Sequence, residues 1–311
     1  MKVNFGYVLG GALALGVWAN AQSQGFDLKN LSVPRHEVGS GGVPRDGIPA
    51  IDDPKFWSVE EAEGFLFNND VLMSFGGGAA ATGYPLRILA WHEIVNDEVD
   101  GKPIAVTYCP LCGTGMVFSR KVEGQTGKVL SFGVSGLLFR SDVLMYDRQT
   151  ESLWSQLESE AVAGPMVGAQ LDWLPSEQLT WKAWKTKYPD GRILSRETGY
   201  DRPYNKIPYE GYVKSPYPIF KVPTTRNELP MKAWVIGVKL GDETKAYRVA
   251  GLKTGEFIDE LGGRPIRITY DRGSRHFQAW DDEGGRIPAV WCYWFAWQAF
   301  NPETVLVNKL R

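Results

Sequence analysis

Soft metal ligands are scarce in this chain, with three cysteines and three histidines in 311 residues. At most one disulfide can form, leaving one thiol over, and only one Cys-x-x-Cys is present. Neither sign of charge dominates: 34 Lys and Arg stand against 36 Asp and Glu, a net charge of −2. That balance excludes the broad basic face that holds nucleic acid. After the amino terminus, no apolar run approaches the ~20 residues needed to cross a membrane as a helix. By contrast, 35 glycines and 19 prolines favour turns and short strands over long helices. The twelve tryptophans suit a buried core, with a glycan-stacking surface as the alternative.

Met1-Lys2 gives a short positive start, Val3 to Val17 is apolar, and Ala19-Asn20-Ala21 is a small-x-small cleavage site. The expectation is a signal peptide over residues 1–21 and a periplasmic or extracellular product with no transmembrane segment after cleavage. In an oxidising compartment a close cysteine pair is often a disulfide.

The chain is organised around Thr107-Tyr108-Cys109-Pro110-Leu111-Cys112-Gly113-Thr114-Gly115. Ile104-Ala105-Val106 leads in as a buried strand, and Pro110 with the glycines forces a sharp turn. Two thiols at this spacing can hold one metal ion or cycle between dithiol and disulfide.

Along the rest of the chain, residues 22–42 read as extended or mobile. Arg45 to Phe56, with Asp46-Gly47 and two prolines, reads as an irregular strap. Ser58 caps a short helix with Glu61 three residues on. Val71–Phe75 reads as a strand ending in Gly76-Gly77-Gly78, a turn rather than a phosphate loop. Leu86–His92 reads as a strand. Gly124 and Gly127 bracket a turn, and β patterns recur at 129–134, 137–139, 143–146 and 152–157. Trp181, Trp184 and Tyr188 share one face of a helix and point to the core.

Asn96–Tyr108 aligns with Ile258–Tyr270, with seven of thirteen positions identical. Tyr84 faces Tyr247 with a one-residue shift. The expected fold is therefore α+β and β-rich: two related β lobes from an internal duplication, with a few short helices. The boundaries read as a strap and helix over 22–82, a first lobe over 83–175, a connection over 176–235 and a second lobe over 236–311. Where the first copy carries Cys109, the second carries Asp271.

Several strings together resemble one family: Trp91–Asp97, Thr107–Thr114, Phe132–Leu138, Met145–Arg148, Thr150–Gln156, and Trp294–Trp297 ahead of Pro302-Glu303-Thr304. The chain resembles the bacterial and archaeal domain of unknown function 3179 over nearly its whole mature length. The resemblance implies no reaction. Asn301 departs from the His that relatives often carry there.

Three functions remain open. A transition-metal site, zinc or copper, would use Cys109 and Cys112 with His92 as third ligand, completed by Cys292, Asp142, Asp147 or Glu93. A redox enzyme would use the same two thiols, although Gly113 and Gly115 replace the helix of a thioredoxin-type pair. A non-catalytic module would bind a glycan or protein through its aromatic surface. The bland readings are an inert disulfide for the pair, a hydrogen-bonded structural His92, an apolar packing role for Cys292, and turn salt bridges for Asp142, Asp147, Arg140 and Arg148.

Overall fold

The computed structural model describes residues 23–122, 128–223 and 226–310. The signal peptide expected at 1–21 and the turn bracketed by Gly124 and Gly127 lie outside the described residues. Five sheets carry the fold. Five short helices accompany them: α1 (Val59–Ala62), α2 (Leu86–His92), α3 (Trp181–Lys187), α4 (Glu210–Lys214) and α5 (Trp294–Phe300). The protein is β-rich with few helices, as its turn-forming composition implies.

The apolar run before the cysteines is the buried strand Lys102–Cys109. It pairs antiparallel with Ile94–Val99 on one side and Thr114–Ser119 on the other. Asp100 and Gly101 turn the chain between the first two strands, with φ of 51° and 69°. Trp173–Leu174 completes this four-stranded meander. A second sheet packs beside it. Val71–Phe75 pairs antiparallel with Thr82–Pro85, which takes Arg192–Leu194 parallel on its far edge. Glu177–Thr180 lies outside Val71–Phe75 and leads into α3. The segments placed in the amino-terminal strap and in the 176–235 connection thus share one sheet, and Thr82–Pro85 spans the boundary drawn at residue 82.

Leu86–His92 is the helix α2, not the strand expected. Pro85, with φ −61°, stands at its N-cap. Ile88, Leu89 and His92 are buried together, a spacing that marks one helical face and not an alternating strand. Ser58 caps α1 in a full capping box with Glu61. Of the two expectations for this stretch, extended fits: Phe26 is buried against Tyr146, and Val38–Ser40 adds an edge strand to Phe132–Phe139.

The carboxy-terminal half runs through the same pairings. Trp234–Leu240 pairs antiparallel with Glu243–Arg248, which takes Val305–Val307 parallel on its far edge. Ala289–Tyr293 lies outside Trp234–Leu240 and leads into α5. A meander of Gly255–Leu261, Arg264–Asp271, His276–Trp280 and Arg286–Ile287 follows the order of its amino-terminal counterpart. Single contacts recur too. Tyr84 Oη donates to Asp97 Oδ2 at 2.6 Å, and Tyr247 Oη donates to Asp259 Oδ2 at 2.8 Å. Cys109 pairs with Thr114 as Asp271 pairs with His276. The Tyr293 N–H donates to the Cys112 carbonyl at 2.8 Å, and the Thr180 N–H donates to the Ser274 carbonyl, also at 2.8 Å. Each half therefore seats its hairpin tip under the strand-to-helix junction of the other.

A fifth sheet is set into the first half: Val38–Ser40, Phe132–Phe139, Asp142–Asp147, Leu153–Ser155 and Glu160–Ala163 in spatial order. The tryptophans fill the cores between layers. Trp154, Trp181, Trp184, Trp294 and Trp297 are all under 2% exposed, and no described tryptophan is exposed. Trp181 and Trp184 face the core as their spacing implies.

Glu177 ties the halves together. Its carboxylate takes Lys187 Nζ at 2.8 Å, Gln278 Nε2 at 2.5 Å, and has His276 Nε2 3.4 Å and Arg286 Nη2 3.5 Å away. Burial works to raise its pKa, but the donors beside it, His276 and Lys187 foremost, outweigh that and bring it down to about 2. A depressed carboxylate stabilises the fold above its unfolded pKa, and the contribution is lost as pH falls through the range from about 4.5 to about 2. Glu177→Ala should cost about 2 kcal/mol at pH 7, less than a fully buried pair because the cations are partly exposed. Urea midpoints at pH 7 and pH 3 check this, since the difference between variant and wild type should shrink at the lower pH.

Candidate functional site

The strand Lys102–Cys109 ends at the first thiol, and the chain reverses within four residues to pair Thr114 across from Cys109. The Gly113 N–H closes this turn on the Cys109 carbonyl at 2.8 Å. Gly113 has φ +70°, and a Cβ there would meet Trp234 Cη2 at 2.6 Å, so the turn needs glycine for conformation and for space. The turn brings both sulfurs to one point in the core. Cys109, Cys112 and Asp142 place two sulfurs and a carboxylate oxygen within 4.8 Å of one another, all buried. Among the described residues no other group of three His, Cys, Asp or Glu side chains converges in this way.

Asp142 reaches the thiols from the inserted sheet. Arg140 and Ser141, with φ of 50° and 71°, make the tight turn that precedes it. Arg140 clamps that turn through Glu37 at 2.6 Å and the Ala299 carbonyl at 2.7 Å. The Cys112 thiol donates to the Ser141 carbonyl at 3.2 Å. Asp142 Oδ2 accepts the Leu157 N–H at 3.2 Å, and Oδ1 lies 3.2 Å from Thr114 Oγ1.

A buried hydrogen-bond chain runs up to Asp142. Gln156 Nε2 donates to Thr107 Oγ1 at 2.6 Å, and Thr107 donates to the Met116 carbonyl at 3.0 Å. That orientation leaves Gln156 Oε1 to accept from Thr114 Oγ1 at 2.7 Å. A hydroxyl has one hydrogen. Thr114 Oγ1 also lies within donating distance of Asp142 Oδ1, so its one hydrogen is shared between two acceptors. Burial pushes the pKa of Asp142 up to about 7, against hydrogen bonds from Thr114 and the Leu157 N–H that favour the carboxylate.

The thiols sit in the same surroundings. Burial raises the pKa of Cys109, and its hydrogen bond with Cys112 offsets part of that rise. Burial, then the neighbouring Cys109, raises Cys112 well above the ordinary thiol value. Cys109 is therefore the sulfur that ionises more readily. The roof over the turn comes from elsewhere in the chain. Tyr212, in α4, donates from Oη to the Leu111 carbonyl at 2.6 Å. Lys232 Nζ lies 3.7 Å from the Tyr212 ring centre and 4.8 Å from that of Tyr293.

The other residues singled out in the sequence fall into different places. His92 is buried, with Nδ1 2.7 Å from the Pro49 carbonyl and Nε2 2.7 Å from Tyr204 Oη. The carbonyl requires a hydrogen on Nδ1, so Nε2 accepts from the tyrosine, and burial lowers the pKa to about 4. Both nitrogens of this neutral imidazole are engaged, and the ring is not part of the three-residue group. Cys292 is buried opposite Val235, near enough for Asp142 to act on it electrostatically but outside the group. Asp147 accepts from the Thr150 N–H, Thr150 Oγ1 and Trp154 Nε1, which is a turn and core role. Arg148 pairs with Asp52 at 2.9 Å. Glu93 is buried, and burial followed by the Asp142 charge pushes its pKa up to about 8. Thr107, Thr114 and Gln156 carry the hydrogen-bond chain, and nothing in their spacing marks them as partners of the cysteines.

In the counterpart hairpin, Asp271 and Ser274 stand where Cys109 and Cys112 stand. Ser274 Oγ donates to Asp271 Oδ2, closing the turn without sulfur. The same turn is thus formed by a hydroxyl and a carboxylate in one half and by two thiols in the other. No curated protein and no solved structure matches the chain. A family model does match over residues 45–304, and the chain therefore belongs to the family described as Protein of unknown function (DUF3179).

Proposed function

We propose that this protein is an exported thiol–disulfide oxidoreductase whose redox pair is Cys109 and Cys112, with Asp142 as the buried proton acceptor. The convergence of the two thiols on a buried carboxyl whose pKa is raised to about 7 carries this reading. In the reduced state both thiols are uncharged, which suits a core cluster that includes Leu111, Met116, Trp294 and Phe295. Asp142 and the Thr114–Gln156–Thr107 chain give a thiol proton a place to go.

The chemistry balances with a substrate disulfide as oxidant. The Cys109 thiolate attacks one substrate sulfur, forms a mixed disulfide and releases one thiolate. The Cys112 thiolate then attacks Cys109 Sγ and releases the second. Two electrons leave the pair, a Cys109–Cys112 bond forms, and the two protons end on the released thiolates. The reverse sequence reduces a substrate. Movement of the α4 roof, held at Leu111 by Tyr212, would admit the partner sulfur.

A metal reading has its own support in the same three donors, which would offer zinc or copper two thiolates and a carboxylate. It needs all three deprotonated in an apolar core, and His92 is engaged elsewhere. The binding-module reading has less support, because the tryptophans are spent on packing. Export rests on the amino-terminal pattern. The doubled order of strands, the paired Tyr–Asp bonds and the reciprocal hairpin contacts support two copies of one unit, of which one acquired or kept the thiols.

The test is acid-trapped alkylation after equilibration with glutathione redox buffers, read by mass spectrometry. The expected result is reversible loss of the Cys109 and Cys112 thiols as a pair, with Cys292 still a free thiol. Three thiols unchanged across the buffer series would overturn the proposal. Elemental analysis of protein purified without added metal separates the second reading: stoichiometric zinc or copper, absent from a Cys109→Ser/Cys112→Ser variant, would replace the first.

A further inference from the structure

The residues on either side of Cys112 lie against aromatic rings. A Cβ on Gly113 would meet Trp234 Cη2 at 2.6 Å, and the Leu111 carbonyl accepts from Tyr212 Oη at 2.6 Å. Each ring carries a cation. Arg275 Cζ lies 5.3 Å from the Trp234 ring centre and 4.6 Å from that of Trp291, and Lys232 Nζ lies 3.7 Å from that of Tyr212. We propose that Arg275 and Lys232 form an anion subsite at the cysteine turn, and that the substrate is a small disulfide with a carboxylate on each side of its sulfur–sulfur bond. For its sulfur chemistry the inference rests on the redox reading above.

Three observations carry it. Neither cation is neutralised: among the described residues no carboxylate pairs with Arg275 or Lys232. Arg275 Nε is buried without an acceptor, and Lys232 Nζ meets only neutral ones, the Tyr212 carbonyl at 2.5 Å and the Val213 carbonyl at 3.5 Å. A part-buried guanidinium left without an acceptor is costly to keep for packing alone. In a chain with more acids than bases, two such cations over one turn set up a local positive field.

The neighbouring hydroxyls are unspent as well. Tyr108 and Tyr293 make no side-chain hydrogen bond among the described residues. The Tyr293 ring lies 4.4 Å from that of Trp234, and Tyr108 directly precedes Cys109. Guanidinium, ammonium and phenol groups together offer donors, and a carboxylate is the acceptor that suits them.

The backbone at Arg275 points the same way. Its φ is 58°, at the place where the cysteine hairpin holds Gly113. An arginine there keeps strain that glycine would relieve, and such strain collects at functional sites. The sulfur-free hairpin thus supplies a charge to the turn that bears the thiols. A carboxylate at each cation holds the intervening disulfide over that turn.

The test uses three disulfides of like length and different charge: dithiodipropionate, hydroxyethyl disulfide and cystamine. Each oxidises the reduced protein in a single turnover, and each rate is divided by that of free dithiothreitol with the same oxidant. Wild type should favour the dianion over the neutral disulfide by roughly tenfold, and less so in high salt. Arg275→Gln should raise the half-saturating concentration of the dianion and keep the limiting rate, Arg275→Lys should recover part of the loss, and Lys232→Gln should show a smaller one. A structural role alone would slow all three oxidants alike, so equal losses, or no charge preference in wild type, would overturn the proposal. If wild type is inert towards all three, the redox reading falls, and calorimetry with suberate, the dicarboxylate with methylenes in place of the sulfurs, still decides the subsite. Saturable binding abolished by Arg275→Gln upholds it, and no binding overturns it.

Discussion

Asp142→Asn should slow disulfide exchange at the cysteine pair by roughly 10²- to 10⁴-fold, the range that a positioned proton acceptor supplies. Asparagine keeps the size of the side chain and can still accept the Leu157 N–H and bond Thr114, the two contacts that hold Asp142. What it cannot do is take a proton from sulfur. The wild-type rate should rise with pH through about 7, where Asp142 becomes the carboxylate, and the variant should lack that step. Stability should move the other way. Asp142 has a folded pKa above its unfolded value, so its contribution is fully present below about 3.8 and is lost as pH rises from there through about 7. The variant escapes that decline and should be more stable at pH 8 by on the order of 2 kcal/mol. Stopped-flow rates and urea titrations on one preparation check both signs. A variant that is less stable and equally fast would contradict the role assigned to Asp142.

Gly113→Ala should destabilise the protein by about 3 kcal/mol, the sum of a left-handed backbone carrying a Cβ and an overpacked contact. Gly113 has φ +70°, and the new methyl would lie 2.6 Å from Trp234 Cη2. Trp234 is not free to withdraw, since its ring lies 4.4 Å from Tyr293 and 6.5 Å from Trp291. The contrast is Arg275, at the matching place in the counterpart hairpin, one residue before its paired strand resumes. Arg275 has φ 58° and spreads over the Trp291 ring at 4.6 Å. Arg275→Gly relieves strain while losing that contact, so it should fall within about 1 kcal/mol of wild type. Chemical denaturation of both variants checks the pair, and equal effects would contradict the packing described.

Much of this was legible in residue patterns. Ile104-Ala105-Val106 before a proline and two glycines marks a buried strand and a turn, and the fold has both. Asp97 and Asp259, aligned by sequence, accept matching tyrosine hydroxyls in space. The α2 segment misled because Leu86, Ile88 and Ala90 alternate like a strand, while Pro85 and the burial of Ile88, Leu89 and His92 decide for a helix. His92 misled for a different reason: Pro49 and Tyr204, 43 and 112 residues away in sequence, occupy its two nitrogens. Asp142 stood among several acids of equal apparent merit. Only the Arg140–Ser141 turn, anchored on Glu37 and Ala299, aims it at the thiols, and that anchoring joins segments more than 100 residues apart. Gln156 and Thr107 are polar residues in buried strands whose pairing exists only once the sheets have packed.

The reduction potential of the Cys109–Cys112 pair tests the central claim most directly. Protein equilibrated over a graded series of thiol buffers should show one reversible two-electron transition between about −270 and −120 mV, the span of working oxidoreductases. A transition below about −300 mV, where structural disulfides lie, or none at all, would contradict it.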